Sequence, residues 1–304
     1  MPLHLDPLSR RRFLGGSAIL TLSSLLPGTS RGAESLHWAL LSDTHIAADP
    51  ATVSKQGVTM AKQLQQVVAE VLAEKDSLAG VIVNGDCAYL TGLADDYRTF
   101  ASLMEPLREA GLPLHFNLGN HDDRETLASV LGETAGASVV EGKRCTVLET
   151  PLANWLLLDS MRVLNQVEGE IGAAQLAWID RYLSENSGKP AIVVAHHYPQ
   201  PEPEAGKENA RITGLVDTGD FLALIDRQPA AKAYLYGHSH VWTQKRRESG
   251  VQEVNLPTTA YVFRPEQPAG WVKASVTPTG MSLELRTLDH AHPQHGETHQ
   301  LAWR

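Results

Sequence analysis

The sequence predicts a single α/β domain. Three observations point to it: short apolar runs alternate with stretches of helical periodicity, no long linker or internal repeat interrupts them, and polar clusters follow several of the runs. The first run, 38–42 (Trp-Ala-Leu-Leu-Ser), is a strand. Val58, Ala61, Leu64, Val67, Val68, Val71 and Leu72 then recur at helical spacing and predict a helix over 55–75. A strand at 80–84, a helix at 95–110, a strand at 114–118 and a helix at 123–131 repeat the alternation. The middle adds strands at 144–149 and 154–159, a helix at 173–185 and an all-apolar strand at 191–195, the pattern of a strand buried on both faces. A helix at 217–227 and a strand at 233–236 lead into a β-rich end, with strands near 251–256, 270–276 and 281–287. The stretch 199–209, with three prolines and four charged side chains, is a loop.

Composition excludes several classes. With 304 residues, 42% of them hydrophobic, the chain can bury a large core and is not a disordered polymer. Two cysteines make neither a disulfide framework nor a four-thiolate zinc site. A formal charge of -9 opposes binding to a nucleic-acid polymer or an anionic membrane. The thirteen histidines are the unusual feature.

The first 35 residues read as an address. Residues 9–14 are Ser-Arg-Arg-Arg-Phe-Leu, followed by an apolar run from Gly15 to Leu26 that is too short for the ~20 residues of a membrane span. The string resembles the twin-arginine signal of bacteria, which implies passage of the folded chain through the twin-arginine translocase, a periplasmic or secreted location and no stable membrane insertion. Cleavage is expected between Ser30 and Ser35, and it leaves a chain more acidic still, since four arginines depart against Asp6 and Glu34.

Five polar clusters stand at the carboxyl ends of predicted strands, where α/β proteins build sites. They are Asp43-Thr-His45, Gly85-Asp86, Gly119-Asn120-His121-Asp122, His196-His197-Tyr-Pro and Gly237-His238-Ser-His240. Asp-x-His and His-x-His place two donor atoms on one side of an extended segment. Carboxylates and imidazoles with one amide suit zinc, iron or manganese, whereas calcium and magnesium want oxygen throughout. Asp43, His45, Asp86, Asn120, His196, His238 and His240 exceed the needs of one ion, so two metal ions bridged by a carboxylate are the natural reading. Glycines before Asp86, Asn120 and His238 permit the close approach such a site requires.

In this order the clusters resemble the five-motif signature of calcineurin-like metallophosphoesterases, over residues 41–260. The resemblance implies a four-layer α/β/β/α sandwich of two mixed sheets flanked by helices, spanning 36–288. It also implies a binuclear centre: Asp43, His45, Asp86 and His240 around the first metal, often iron, and the bridging Asp86 with Asn120, His196 and His238 around a second, often manganese, zinc or iron. His121 would be the catalytic histidine that touches the phosphate and helps the leaving oxygen depart, steadied by Asp122 or by a backbone carbonyl. His196 is favoured over His197 because proline follows it three residues later. Tyr89 stands where protein phosphatases carry an aspartate and purple acid phosphatases a metal-binding tyrosine; since purple acid phosphatases lack the histidine at 45, Tyr89 is read as a neighbour of the metals. The paired histidines, Gly214-Leu-Val-Asp217 and Leu156-Leu-Leu-Asp159-Ser160 look most like the bacterial branch of cyclic-nucleotide and glycerophosphodiester phosphodiesterases.

The implied activity is hydrolysis of a small phosphoester, a diester in preference to a monoester, by attack of a metal-bridging hydroxide. Tyr198, Arg124, Arg211 and the 199–216 loop are the candidate substrate contacts. A phosphomonoesterase is the nearest alternative, and a non-catalytic periplasmic metal- or phosphate-binding protein is the alternative of another class; His121 beside a full ligand set argues against the latter. Cys87 reads as a small buried residue, with pairing to Cys145 open. Residues 289–304, with four histidines, read as a flexible polar tail.

Overall fold

The structure, a computed structural model, describes residues 3–5, 35–132, 138–203 and 210–304. Two mixed sheets lie face to face. The first holds seven strands in the order β1-β4-β3-β2-β11-β12-β13, with β1 Leu3–Leu5, β2 Leu36–Leu41, β3 Leu78–Asn84, β4 Leu114–Asn117, β11 Gly270–Thr277, β12 Gly280–Thr287 and β13 Thr298–Ala302. The second holds six in the order β5-β6-β7-β8-β10-β9: β5 Thr146–Glu149, β6 Asn154–Leu157, β7 Ala191–Val194, β8 Ala231–Tyr236, β9 Thr243–Arg246 and β10 Gln252–Asn255. Strands β2, β3 and β4 are parallel to one another, as are β6, β7, β8 and β10, while β1, β5, β9 and the β11-β12-β13 run pair antiparallel.

The two-residue period of the strands sorts their side chains into layers. Trp38 and Leu40 of β2 turn toward the other sheet, where they meet Trp155, Leu157, Ile192, Val194, Ala233 and Leu235 in the central core. Ala39 and Leu41 turn the other way, onto helices α1 Met60–Ala73, α2 Ala94–Glu109 and α3 Arg124–Leu131. Ala191 and Val193, likewise, face α4 Ala173–Glu185 and α5 Thr218–Arg227. The result is the expected α/β/β/α sandwich. Asn117 donates to Asn84 Oδ1 and to the Val194 carbonyl, both at 3.1 Å, and Asn84 donates to the Ala195 carbonyl. These buried bonds, each worth about 0.5–1.5 kcal/mol net, pin the sheets together where the parallel strands end.

Two expectations change, and one strand was not foreseen. Helix α1 starts at Met60 rather than 55, because Ser54 and Val58 close a turn around Gly57 first. Residues 289–304 are not a flexible tail: β13 pairs along β12, Leu301 is 1% exposed, and His299 packs on Trp242. The alternation of β13 hides one leucine among polar residues, which is why composition alone read it as solvated. Strand β9, Thr-Gln-Lys-Arg, is a solvent-facing edge with no apolar signal. Of the expected leader, the arginine string and the apolar run lie outside the described residues, while Leu3–Leu5 runs antiparallel to β4. No helix among the described residues is long and apolar enough to cross a membrane. Cys87 and Cys145 are both free and buried, in different cores, so they do not pair.

Candidate metal centre

The parallel strands of both sheets end on the same side, and their first loop residues converge there. The convergence requires unusual backbone: Asp43, His45, Asp86, His238 and His240 all hold left-handed φ values, between 48° and 68°. Such conformations cost a non-glycine residue about 1–3 kcal/mol each and persist only where surroundings enforce them. Here the loops are bonded across one another, Asp43 N to Gly85 O at 3.1 Å, His45 N to Asp86 O at 2.8 Å and Gly237 N to His196 O at 2.9 Å. Two glycines are required for contact: a Cβ on Gly119 would collide with the carboxylate and backbone nitrogen of Asp86, and one on Gly237 with Ser42 and Asp43.

Three sets of side chains bring donor atoms within 4.8 Å of one another: Asp43, His45 and His240; His45, Asp86 and His121; Asp86, His196 and His238. Asp86 belongs to two sets, with Oδ2 at 3.2 Å from His196 Nε2 and 3.7 Å from His45 Nε2. His240 Nε2 lies 3.2 Å from Asp43 Oδ1 and 3.1 Å from His45 Nε2.

Hydrogen bonds decide which ring nitrogen faces inward. His196 Nδ1 donates to the Asn84 carbonyl at 2.9 Å and His240 Nδ1 to the Tyr261 carbonyl at 2.5 Å. With Nδ1 taken in this way, each ring points its Nε2 at a carboxylate. His238 donates from Nε2 to the Thr213 carbonyl at 2.9 Å, leaving Nδ1 free to ligate. Asn120 Oδ1 is buried without a hydrogen-bond partner. Imidazole nitrogens gathered around carboxylates, and a buried amide oxygen with no donor, fit a centre built for cations.

Protonation carries the same signature. Burial opposes ionisation of Asp43, yet His240 and His196 outweigh it and hold its carboxyl well below the usual range; His196 does the same for Asp86. Burial also opposes a charged His196, but Asp86 and Asp43 push its pKa up to about 10. His45 and His238, lowered by burial to about 3 and about 4, stay neutral.

The remaining site residues sort clearly. Of the paired histidines it is His196 that reaches the carboxylates; His197 bonds Ser160 Oγ at 2.8 Å through Nδ1 and packs its ring against His238. His121 is oriented by the Leu90 carbonyl, 2.6 Å from Nδ1, not by Asp122. Asp122 instead accepts from the backbone of Cys87, Ala88 and Gly119 and from the Tyr97 hydroxyl. Burial, reinforced by Asp86, raises its pKa to about 6. Tyr89 packs on the first helical core and does not line the cavity. Arg124 is turned away as well: it grips the buried Asp159 at 2.7 and 3.0 Å and caps the Met161 carbonyl, so it is not a substrate contact. Arg211 is exposed and outside the cavity wall, whereas Tyr198 lines it.

A cavity of about 340 Å³ opens over Asp86, Asn120 and His121. Its walls include Asn165, Tyr261 and Phe263, none of which the sequence singled out. Asn165, with φ of 57° and its N–H on the Asn120 carbonyl at 2.6 Å, carried only the faint signal that asparagine tolerates left-handed backbone. Tyr261 acts partly through its carbonyl, which no residue type announces.

Two face-to-face mixed sheets with flanking helices, and carboxylate, imidazole and amide donors gathered at the strand ends, define the α/β metallophosphoesterase class. The chain belongs to the calcineurin-like phosphoesterase family, whose model matches residues 36–242. It is 29% identical over 252 residues to a probable cyclic nucleotide phosphodiesterase of a Synechococcus species, covering 81% of this chain and 90% of that one. To the 3',5'-cyclic adenosine monophosphate phosphodiesterase CpdA of Escherichia coli it is 26% identical over 271 residues, 87% and 90% of the two chains. Among solved structures, a dimetal phosphatase from Danio rerio superposes with a TM-score of 0.66 at 16% identity, covering 88% of this chain and 99% of its own. A purple acid phosphatase from yellow lupin superposes with a TM-score of 0.62 at 12% identity, covering 89% and 54%. These likenesses support the fold.

Proposed function

We propose that this chain is an exported phosphodiesterase acting on small phosphodiesters of the cyclic-nucleotide class, with two metal ions in its centre. The observation that carries the binuclear reading is Asp86, whose Oδ2 lies 3.7 Å from His45 Nε2 on one side and 3.2 Å from His196 Nε2 on the other. Asp43, His45, Asp86 and His240 would hold one ion, and Asp86, Asn120, His196 and His238 the other. Bound cations would supply Lewis-acid charge to the phosphoryl oxygens and an activated water near neutral pH. His121, fixed by the Leu90 carbonyl, offers its Nε2 side to the departing oxygen as hydrogen-bond donor or general acid. Asp122 keeps the loop of Asn120 and His121 bonded to that of Asp86.

A diester is favoured over a monoester on charge. Among the described residues, neither lysine nor arginine lines the cavity, so no side-chain cation meets the second negative charge of a monoester. The relatives named as cyclic nucleotide phosphodiesterases support the same choice. The arginine string of residues 9–14 supports export by the twin-arginine route to the periplasm.

The test is metal analysis of the purified protein combined with kinetics on cyclic AMP, bis(p-nitrophenyl) phosphate and p-nitrophenyl phosphate. About two ions per chain and a kcat/KM favouring diesters are expected. His121→Ala should lower kcat by about 10²–10⁴-fold on cyclic AMP. One ion per chain, or preference for the monoester, would overturn the reading.

A further inference from the structure

Phe263 is 59% exposed, and among the described residues it is the one aromatic side chain in the exposed large hydrophobic set. Exposure of a single apolar side chain is ordinary, but this one stands in the wall of the cavity over the candidate metal centre. Its ring is held rather than loose. One face stacks on the His240 imidazole at a centroid distance of 4.5 Å and 23°, and Tyr261 meets it edge-on at 5.7 Å. Tyr261 is fixed in turn by stacking on His45 at 5.0 Å and 24°. With one face of Phe263 taken by His240, the other is left open.

The arrangement places a free aromatic face one ring away from a histidine that would ligate metal. Phe263 and the candidate ligands line one cavity, so the ester group of a phosphate at the centre shares that cavity with Phe263. We propose that Phe263, backed by Tyr261, is the stacking platform for the nucleobase of a nucleotide diester, and so a specificity-determining residue. The inference rests on the phosphodiesterase reading above and names the part of the substrate that reading leaves open. A cavity of about 340 Å³ falls within the range of small-ligand sites. Because every base has a π face, stacking on Phe263 by itself tolerates different bases.

The experiment compares metal-loaded wild type, Phe263→Ala and Phe263→Trp on cyclic AMP and on the base-less analogue 1-deoxyribose 3,5-cyclic phosphate. Binding of adenosine 3',5'-cyclic phosphorothioate is followed by calorimetry, so that recognition is read apart from turnover. Wild type should show a lower KM for cyclic AMP than for the base-less compound. Phe263→Ala should raise the KM for cyclic AMP and the Kd of the phosphorothioate by about tenfold, closing the gap between the two substrates, and Phe263→Trp should restore it. Equal rises in KM for both compounds would mean that Phe263 only shields His240, and a wild type blind to the base would equally overturn the proposal. Failure to hydrolyse either diester would instead sink the phosphodiesterase reading, and the phosphorothioate titration would then judge Phe263 by itself.

Discussion

Asp43, His45, Asp86 and His240 combine two costs, left-handed backbone and buried ionisable side chains, and half-buried His238 shares the first. A cation would repay both, since it neutralises the carboxylates and gives the inward lone pairs a partner. His196 makes this testable. Its folded pKa of about 10 lies above the ordinary 6.5, so its contribution to stability is complete below pH 6.5 and is lost as pH rises toward 10. Metal must displace that proton. The difference in Tm between metal-loaded and metal-free protein should therefore widen from pH 6.5 to 10; a constant difference would contradict the assignment of His196. Arg124 tests the opposite case. Arg124→Ala leaves the fully buried Asp159 without its bidentate partner and should cost about 3–5 kcal/mol in unfolding free energy, with KM little changed. A large rise in KM at unchanged Tm would restore Arg124 as a substrate contact.

At the scale of elements, the site is a property of strand ends. Each cluster could be read in the sequence because an apolar run stops and a polar pair at one- or two-residue spacing begins, as in 38–45 and 233–240. The backbone carbonyls of Asn84, Leu90, Thr213 and Tyr261, which set the imidazole orientations, could not be read, since a carbonyl belongs to every residue alike. Glycine is where the two levels meet. Gly119→Ala would push the Asp86 carboxylate out of place while leaving the cores untouched, and metal affinity should fall about 10–100-fold, measurable by competition with a chelator. An unchanged affinity would show that the loop can give way.

Across the whole molecule, the sandwich closes only with its last strand. Leu301 of β13 sits at 1% exposure in the layer between the sheets, with Met281, Leu283 and Leu285 of β12. Leu301→Ala should cost about 2–5 kcal/mol, and deleting 289–304 should cost more, in thermal or urea unfolding. A deletion as stable as the full chain would return that segment to the status of a tail. The sequence by itself determined the α/β alternation, the order of the strands along the chain and the identity of the candidate ligands, because periodicity and donor chemistry are local. Only the tertiary structure decided that His196 rather than His197 faces Asp86, that Arg124 is spent on Asp159, that Phe263 stands at the cavity and that 298–302 is a strand. Those outcomes depend on which distant backbone or side chain arrives alongside, and no residue type encodes its future neighbour.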